Sequence, residues 1–187
     1  VYEGITGDFG GLQMSDMYSD NMVLQYGQPL NIHGKANAGE KVTVKIAGQK
    51  KKAVAASNGK WSVTLEPLKA GGPYTLSIEA GKKELIYNKV LAGEVWLCSG
   101  QSNMEWPVRK TPDMKEDIKG QKNPYIRLYN TGRISASTPQ NEVPVQRKHR
   151  AMWTTCTAKA LSNFSAVGYG FGKELQQALN VPIGLVD

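Results

Sequence analysis

Gly93-Glu94-Val95-Trp96-Leu97-Cys98-Ser99-Gly100-Gln101-Ser102-Asn103-Met104-Glu105-Trp106-Pro107 reads as a strand running into a turn. Residues 95–98 form an apolar run of the length of a buried strand, and small and polar residues end it. Ser102 lies just past the strand end, after Gly100, which admits backbone angles closed to other residues and lets a ligand approach the main chain. A serine so placed is a candidate nucleophile. The familiar strand-turn-helix elbow has the form Gly-x-Ser-x-Gly. Gly100-Gln101-Ser102-Asn103 has no second glycine, so this is a different serine motif.

Outward from that stretch, composition sets the bounds. A chain of 187 residues, 40% hydrophobic, suffices for one large domain or two small ones with a true core. No stretch approaches the roughly 20 apolar residues of a membrane span. Residues 1–11 carry acidic residues and glycines where a signal peptide has its apolar centre. The net charge is +7, but the basic residues are scattered except in Lys50-Lys51-Lys52 and Arg147-Lys148-His149-Arg150, without interleaved aromatics. That pattern reads better as a solvated surface, and no nucleic-acid partner is expected. Cys98 and Cys156 are too few for a disulfide framework and lack zinc-ligand spacing. Cys98 reads as a buried, inert thiol, with a Cys98–Cys156 bridge the alternative; neither metal nor cofactor is expected.

Before the serine stretch, residues 21–91 read as β throughout. Leu30 and Ile32, then Val42, Val44 and Ile46, then Trp61, Val63 and Leu65, then Tyr74, Leu76 and Ile78 alternate with polar residues, so each strand turns one face inward. Turn chemistry separates them, and Asn58-Gly59 is the strongest hairpin signal. Short alternating strands at that spacing predict an antiparallel sandwich able to stand alone.

After it, Pro107 biases Trp106 away from helix, limiting any helix at the serine to about one turn. A helix is predicted from Thr111 as cap and Pro112 as first residue to Gly120, then a strand over residues 125–129 and a long loop over 130–152. From Asn163 a capped amphipathic helix runs to Leu179, with Val167, Phe171, Leu175 and Leu179 on its apolar face. The run at residues 181–186 follows as a strand whose partners are expected beyond the chain. Strand, helix, strand in that order makes an α/β sheet.

Residues 93–108 resemble the nucleophile block of the sialate O-acetylesterases, a branch of the SGNH (GDSL-like) hydrolases with Gly-Gln-Ser-Asn where Gly-Asp-Ser is usual. Residues 9–91 resemble the amino-terminal β-sandwich of these enzymes. Phe164-Ser165-Ala166-Val167 and Val181-Pro182-Ile183-Gly184-Leu185 resemble the next helix and strand of their catalytic domain. The resemblance thus implies two domains: an all-β antiparallel sandwich at residues 1–91, then the first part of an SGNH-type α/β domain at 92–187. The family's Trp-Gly-Gly oxyanion segment and late Asp-x-x-His have no counterpart here; the family pattern would place them beyond Asp187.

A serine hydroxyl needs a hydrogen-bonded base and donors aimed at the oxyanion. The chain offers only His33, within a strand, and His149, in a basic loop where neighbouring cations oppose its protonation. The base is therefore expected outside these residues. By the resemblance, Ser102 is the nucleophile and its own N–H one oxyanion donor. Gln101 and Asn103 either order the turn or touch substrate; Trp106 either offers a sugar an aromatic face or packs beneath the turn. The implied activity is removal of O-acetyl groups from O-acetylated sialic acid, with acetylxylan or another polysaccharide as alternative substrate. A non-catalytic carbohydrate-binding or assembly module is the reading of another class. The expected partners are an acetylated sugar and the remainder of the same protein, or a second chain completing the site. A periplasmic or secreted location is implied only by the resemblance.

Overall fold

A computed structural model describes residues 11–120, 123–131, 137–139 and 151–187. In chain order its strands are β1 (Val23–Gln25), β2 (Leu30–Lys35), β3 (Lys41–Ile46), β4 (Gln49–Val54), β5 (Lys60–Leu65), β6 (Gly71–Ala80), β7 (Lys83–Leu97), β8 (Asn123–Tyr129), β9 (Trp153–Cys156) and β10 (Ile183–Val186). The helices are α1 (Lys115–Gly120), α2 (Ala158–Ser162) and α3 (Ala166–Leu179). Among the described residues, no helix is long and apolar enough to cross a membrane.

The four alternating patterns fall on β2, β3, β5 and β6. β2 and β5 form a two-stranded antiparallel sheet in which Leu30 faces Leu65 and Ile32 faces Val63, all four buried. The remaining strands form one eight-stranded sheet, ordered β4-β3-β6-β7-β10-β8-β9, with β1 joined to β7. Leu30, Ile32, Trp61 and Val63 of the small sheet share a core with Val42, Val44, Leu76 and Ile78 of the large one. Burial of this alternating apolar face is what the period-2 pattern secures.

Three expectations for this half need correction. Asn58-Gly59 is a turn but not a hairpin, because it links β4 in one sheet to β5 in the other. A tight hairpin is instead at Ala47-Gly48, where positive φ values of 50° and 78° supply the twist that a two-residue connection between β3 and β4 requires. Nor is the sheet wholly antiparallel: β1 runs parallel to β7, Val23 opposite Leu91 and Gln25 opposite Gly93.

The third correction concerns the boundary between the halves. Residues 91 and 92 are neighbours inside β7, which pairs with β6 up to Ala92 and with β10 from Glu94 to Leu97. The change of partner happens at Gly93. A Cβ there would lie 1.9 Å from the carbonyl oxygen of Pro182, so the approach of β10 admits only glycine. The Glu94 N–H donates to that same oxygen at 2.9 Å. The first core also takes in Tyr129, Trp153 and Val186 from the second half. Trp153 is tied across by its indole N–H to the Met17 carbonyl (3.0 Å) and its backbone N–H to Ser19 Oγ (3.1 Å).

In the second half, β7, β10 and β8 run parallel, and β9 closes the edge antiparallel to β8. β10 is thus an interior strand with partners on both sides, not one awaiting them beyond Asp187, and all four of its residues are buried. The helix predicted over 111–120 is divided into a 3-10 turn at Pro112–Met114 and α1, with a further 3-10 turn at Val108–Lys110 before it, and Thr111 caps nothing with its side chain. Thr111 is extended, as the residue before a proline tends to be. Most of the loop over 130–152 lies outside the described residues, as does His149.

The helix predicted from Asn163 to Leu179 is α3, which starts at Ala166, and α2 is a separate short helix ending before Asn163. Ser165 Oγ caps α3 by accepting from the Gly168 N–H at 3.1 Å. Of its predicted apolar stripe, Leu175 packs on the second core but the rest faces outward: Val167 is 51%, Phe171 43% and Leu179 46% exposed, while Ala166, Gly168, Tyr169 and Gly172 are buried. The small residues permit close approach, since a Cβ at Gly172 would sit 2.6 Å from a Leu185 methyl. A partly buried ion pair, Lys173 Nζ to Asp117 Oδ1 at 2.8 Å, holds α3 to α1. The strand end before the serine is likewise open: Trp96 is 42% and Leu97 73% exposed, contrary to the buried strand expected at 95–98. Trp96 meets Phe171 edge-to-face with ring centroids 5.1 Å apart.

Two tests follow from this packing. A chain ended at Val90 loses the β1 pairing at residues 91–93 and the Trp153 side of the first core. It is expected to melt well below residues 1–187, and Trp153→Ala should itself cost about 3–5 kcal/mol in urea unfolding. Equal midpoints would make the first core self-sufficient. The patch formed by Trp96, Val167 and Phe171 should drive association of residues 1–187 in isolation. Sedimentation is expected to show less of it in Val167→Ser/Phe171→Ser.

Candidate active site

The chain leaves β7 at Leu97 and closes a turn over residues 101–105. The Gln101 carbonyl accepts from the N–H of Met104 at 2.9 Å and of Glu105 at 3.3 Å, and the Asn103 carbonyl from the N–H of Trp106 at 3.3 Å. Gly100 is required here for space and not for its dihedrals: it has no positive φ, but a Cβ would stand 2.5 Å from Met104 Cγ. Met104 packs on the second core, which anchors the turn from below.

The far side of the turn is pinned to the start of α3. The Ala166 N–H donates to the Trp106 carbonyl (2.8 Å), the Val108 N–H donates to the Phe164 carbonyl (3.0 Å), and Pro107 bridges to Ser165. Pro107 and Val108 are buried, so the serine turn is held at both ends.

Ser102 projects from this frame into solvent. Among the described residues its hydroxyl has no hydrogen-bond partner, and neither its own N–H nor that of Asn103 meets a protein acceptor. Two adjacent free N–H groups at the start of a turn are what an anion or oxyanion accepts from. Ser102 opens on a depression of ≈ 440 Å³, lined also by Glu105, Trp106, Arg109, Lys110 and Asn163.

Gln101 and Asn103 are exposed and shape the turn through their backbone carbonyls; neither side chain is hydrogen-bonded among the described residues. Trp106 does not pack beneath the turn. It is half exposed, with Lys110 Nζ over its ring at 5.2 Å from the centroid. Arg109 Nη1 donates to Asn163 Oδ1 at 2.6 Å. Arg109 and Lys110 follow the serine block closely enough for sequence reasoning to have found them. Asn163 is 54 residues from Arg109 in sequence, so only folding reveals it.

Among the described residues, no histidine lines the depression. His33 stands exposed on β2, edge-on to Tyr18 with centroids 6.1 Å apart. Cys98 and Cys156 are both buried and free, so no bridge joins them. Burial, and secondarily Asp187, pushes the Cys98 thiol up to about 11, which keeps it protonated at neutral pH and removes it as a rival nucleophile. Among the described residues, no group of three or more His, Cys, Asp or Glu side chains is arranged to hold a metal ion.

No family model matches the chain. It is similar to the sialate O-acetylesterase of Rattus norvegicus, 32% identical over 90% of this chain and 34% of that protein. It is also similar to that of Homo sapiens, 30% identical over 94% of this chain and 36% of that protein. The crystal structure of a carbohydrate acetylesterase from Xanthomonas citri superposes with a TM-score of 0.88 at 31% identity, covering 94% of this chain and 39% of that one. The chain thus spans about a third of the length of the relatives it matches. With a Gly-Gln-Ser-Asn turn at the end of a parallel strand and these likenesses along nearly its whole length, the chain is similar to part of the sialate O-acetylesterases.

Proposed function

We propose that this chain is part of a serine-dependent carbohydrate esterase that removes O-acetyl groups, from O-acetylated sialic acid above all. The observation that carries this reading is the placement of Ser102. Its hydroxyl and two neighbouring N–H groups lie unpartnered among the described residues, at the carboxyl end of a strand in a parallel sheet, beside a depression of sugar size. The names of the related proteins support acetyl-ester chemistry on carbohydrates.

In this reading Ser102 Oγ attacks the acetyl carbonyl carbon, and the Ser102 N–H holds the resulting oxyanion. A base takes the hydroxyl proton and returns it to the departing sugar oxygen; water then frees acetate by the same proton path. In this reading a histidine and its carboxylate, which the described lining of the depression does not include, are supplied from elsewhere in the protein or from a second chain. A periplasmic or secreted location goes with such a substrate. The alternative reading is a carbohydrate-binding or assembly module that keeps an idle serine turn.

In the protein that carries this chain, Ser102→Ala should lower hydrolysis of p-nitrophenyl acetate and of acetylated sialic acid by roughly four orders of magnitude at matched folding. A fluorophosphonate should label Ser102, and iodoacetamide at pH 8 should leave Cys98 unmodified, because its thiolate forms only toward pH 11. Activity surviving the substitution would mean that another residue attacks. An inactive wild-type protein that still binds the sugar would favour the module. Residues 1–187 alone are expected to show no serine-dependent turnover. Turnover by them that is lost on His149→Ala would make His149 the base.

A further inference from the structure

We infer that Arg109, oriented by Asn163, reads a carboxylate on the sugar and makes the site selective for acidic over neutral acetylated sugars. This rests on the esterase reading only for where the acetyl group sits.

The first ground is the pairing of charges. Arg109 and Lys110 line the depression beside Ser102, and among the described residues neither has a carboxylate partner. Arg109 is held by a neutral amide, Asn163 Oδ1, at 2.6 Å. One guanidinium nitrogen is thereby fixed without its charge being neutralised, and the remaining donors of the planar fork stay free. Lys110 rests over the Trp106 ring, again without a counter-ion.

Rigidity is the second ground. Arg109 sits in the turn Val108–Lys110, whose Val108 is buried and whose N–H is bonded to the Phe164 carbonyl. Asn163 immediately precedes Phe164 and ends α2 as its C-cap. Both ends of the Arg109–Asn163 bond therefore stand on one clamped segment. A guanidinium so oriented meets a carboxylate with two parallel N–H donors, which a neutral sugar does not satisfy.

Glu105 lines the same depression and opposes an anion. The two cations outnumber it by one, so long-range attraction is modest and the selectivity is directional, carried by the fork.

The test uses the protein that carries this chain and two substrates: an O-acetylated sialic acid methyl glycoside, and its analogue with the carboxylate converted to carboxamide. The wild type is expected to prefer the acid by about tenfold or more in kcat/KM, mainly through KM. Arg109→Ala should bring that ratio close to one, and Arg109→Lys should restore part of it. Asn163→Asp, which sets a rival carboxylate against Arg109 without removing any atom of the fork, should depress the ratio as well. Raised salt should weaken the acid substrate more than the amide. A wild-type ratio near one, or a ratio unchanged in Arg109→Ala and Asn163→Asp at matched melting temperature, overturns the assignment while leaving the esterase reading intact. Should the wild type lack serine-dependent activity, binding of the deacetylated methyl glycoside by saturation-transfer NMR decides separately. Loss of binding in Arg109→Ala upholds the carboxylate site although the esterase reading fails; binding indifferent to Arg109, or no binding, overturns it.

Discussion

Everything in this structure turns on the passage of the Pro182 carbonyl over Gly93. At that point β7 gives up β6 and β1 as neighbours and takes β10, and no side chain fits between the two backbones. The hydrogen bond from Glu94 to the same carbonyl sets the register of β10, which in turn aligns β8. The serine turn begins three residues after β7 ends, so its position is inherited from that register. An added methyl group at Gly93 would act first on the strand pairing and only through it on Ser102.

The unpaired groups around Ser102 share one origin. Past Gly93, where the β1 pairing ends, β7 keeps β10 as its partner up to Leu97, yet the side chains of Trp96 and Leu97 stay open, and the turn that follows bonds to itself through the carbonyls of Gln101 and Asn103. The N–H groups of Ser102 and Asn103 and the serine hydroxyl are left facing water, where the depression lies. Clamping residues 106–108 to residues 164–166 confines what would otherwise be a loose loop, and the same clamp carries Arg109 and Asn163.

How far the sequence could be read depended on which physical force shaped each element. Where burial alternates along a strand, as in β2, β3, β5 and β6, hydrophobicity reports it directly. β4 was invisible because it is an edge strand with the run Lys50-Lys51-Lys52 at its centre, a composition that protects an edge from pairing. α3 was assigned the wrong face for the opposite reason. Its buried side is built from Gly168, Tyr169 and Gly172, where proximity of backbones does the work that bulky apolar groups do elsewhere, and hydropathy does not register proximity. Ser102 was legible from its own neighbours, whereas the Arg109–Asn163 bond joins segments that only the packing of α2 against Val108–Lys110 brings together.

The unbroken course of β7 bears on how such a protein can be assembled from parts. Its first half has the look of an interchangeable accessory, yet the seam lies inside a 15-residue strand. Recombination there would have to supply the donor's half of a hydrogen-bonded ladder in phase, with a glycine at position 93 and a short parallel strand equivalent to β1. Exchange of modules is therefore far more constrained than between domains joined by a linker, and the two halves are fitted to descend as one unit.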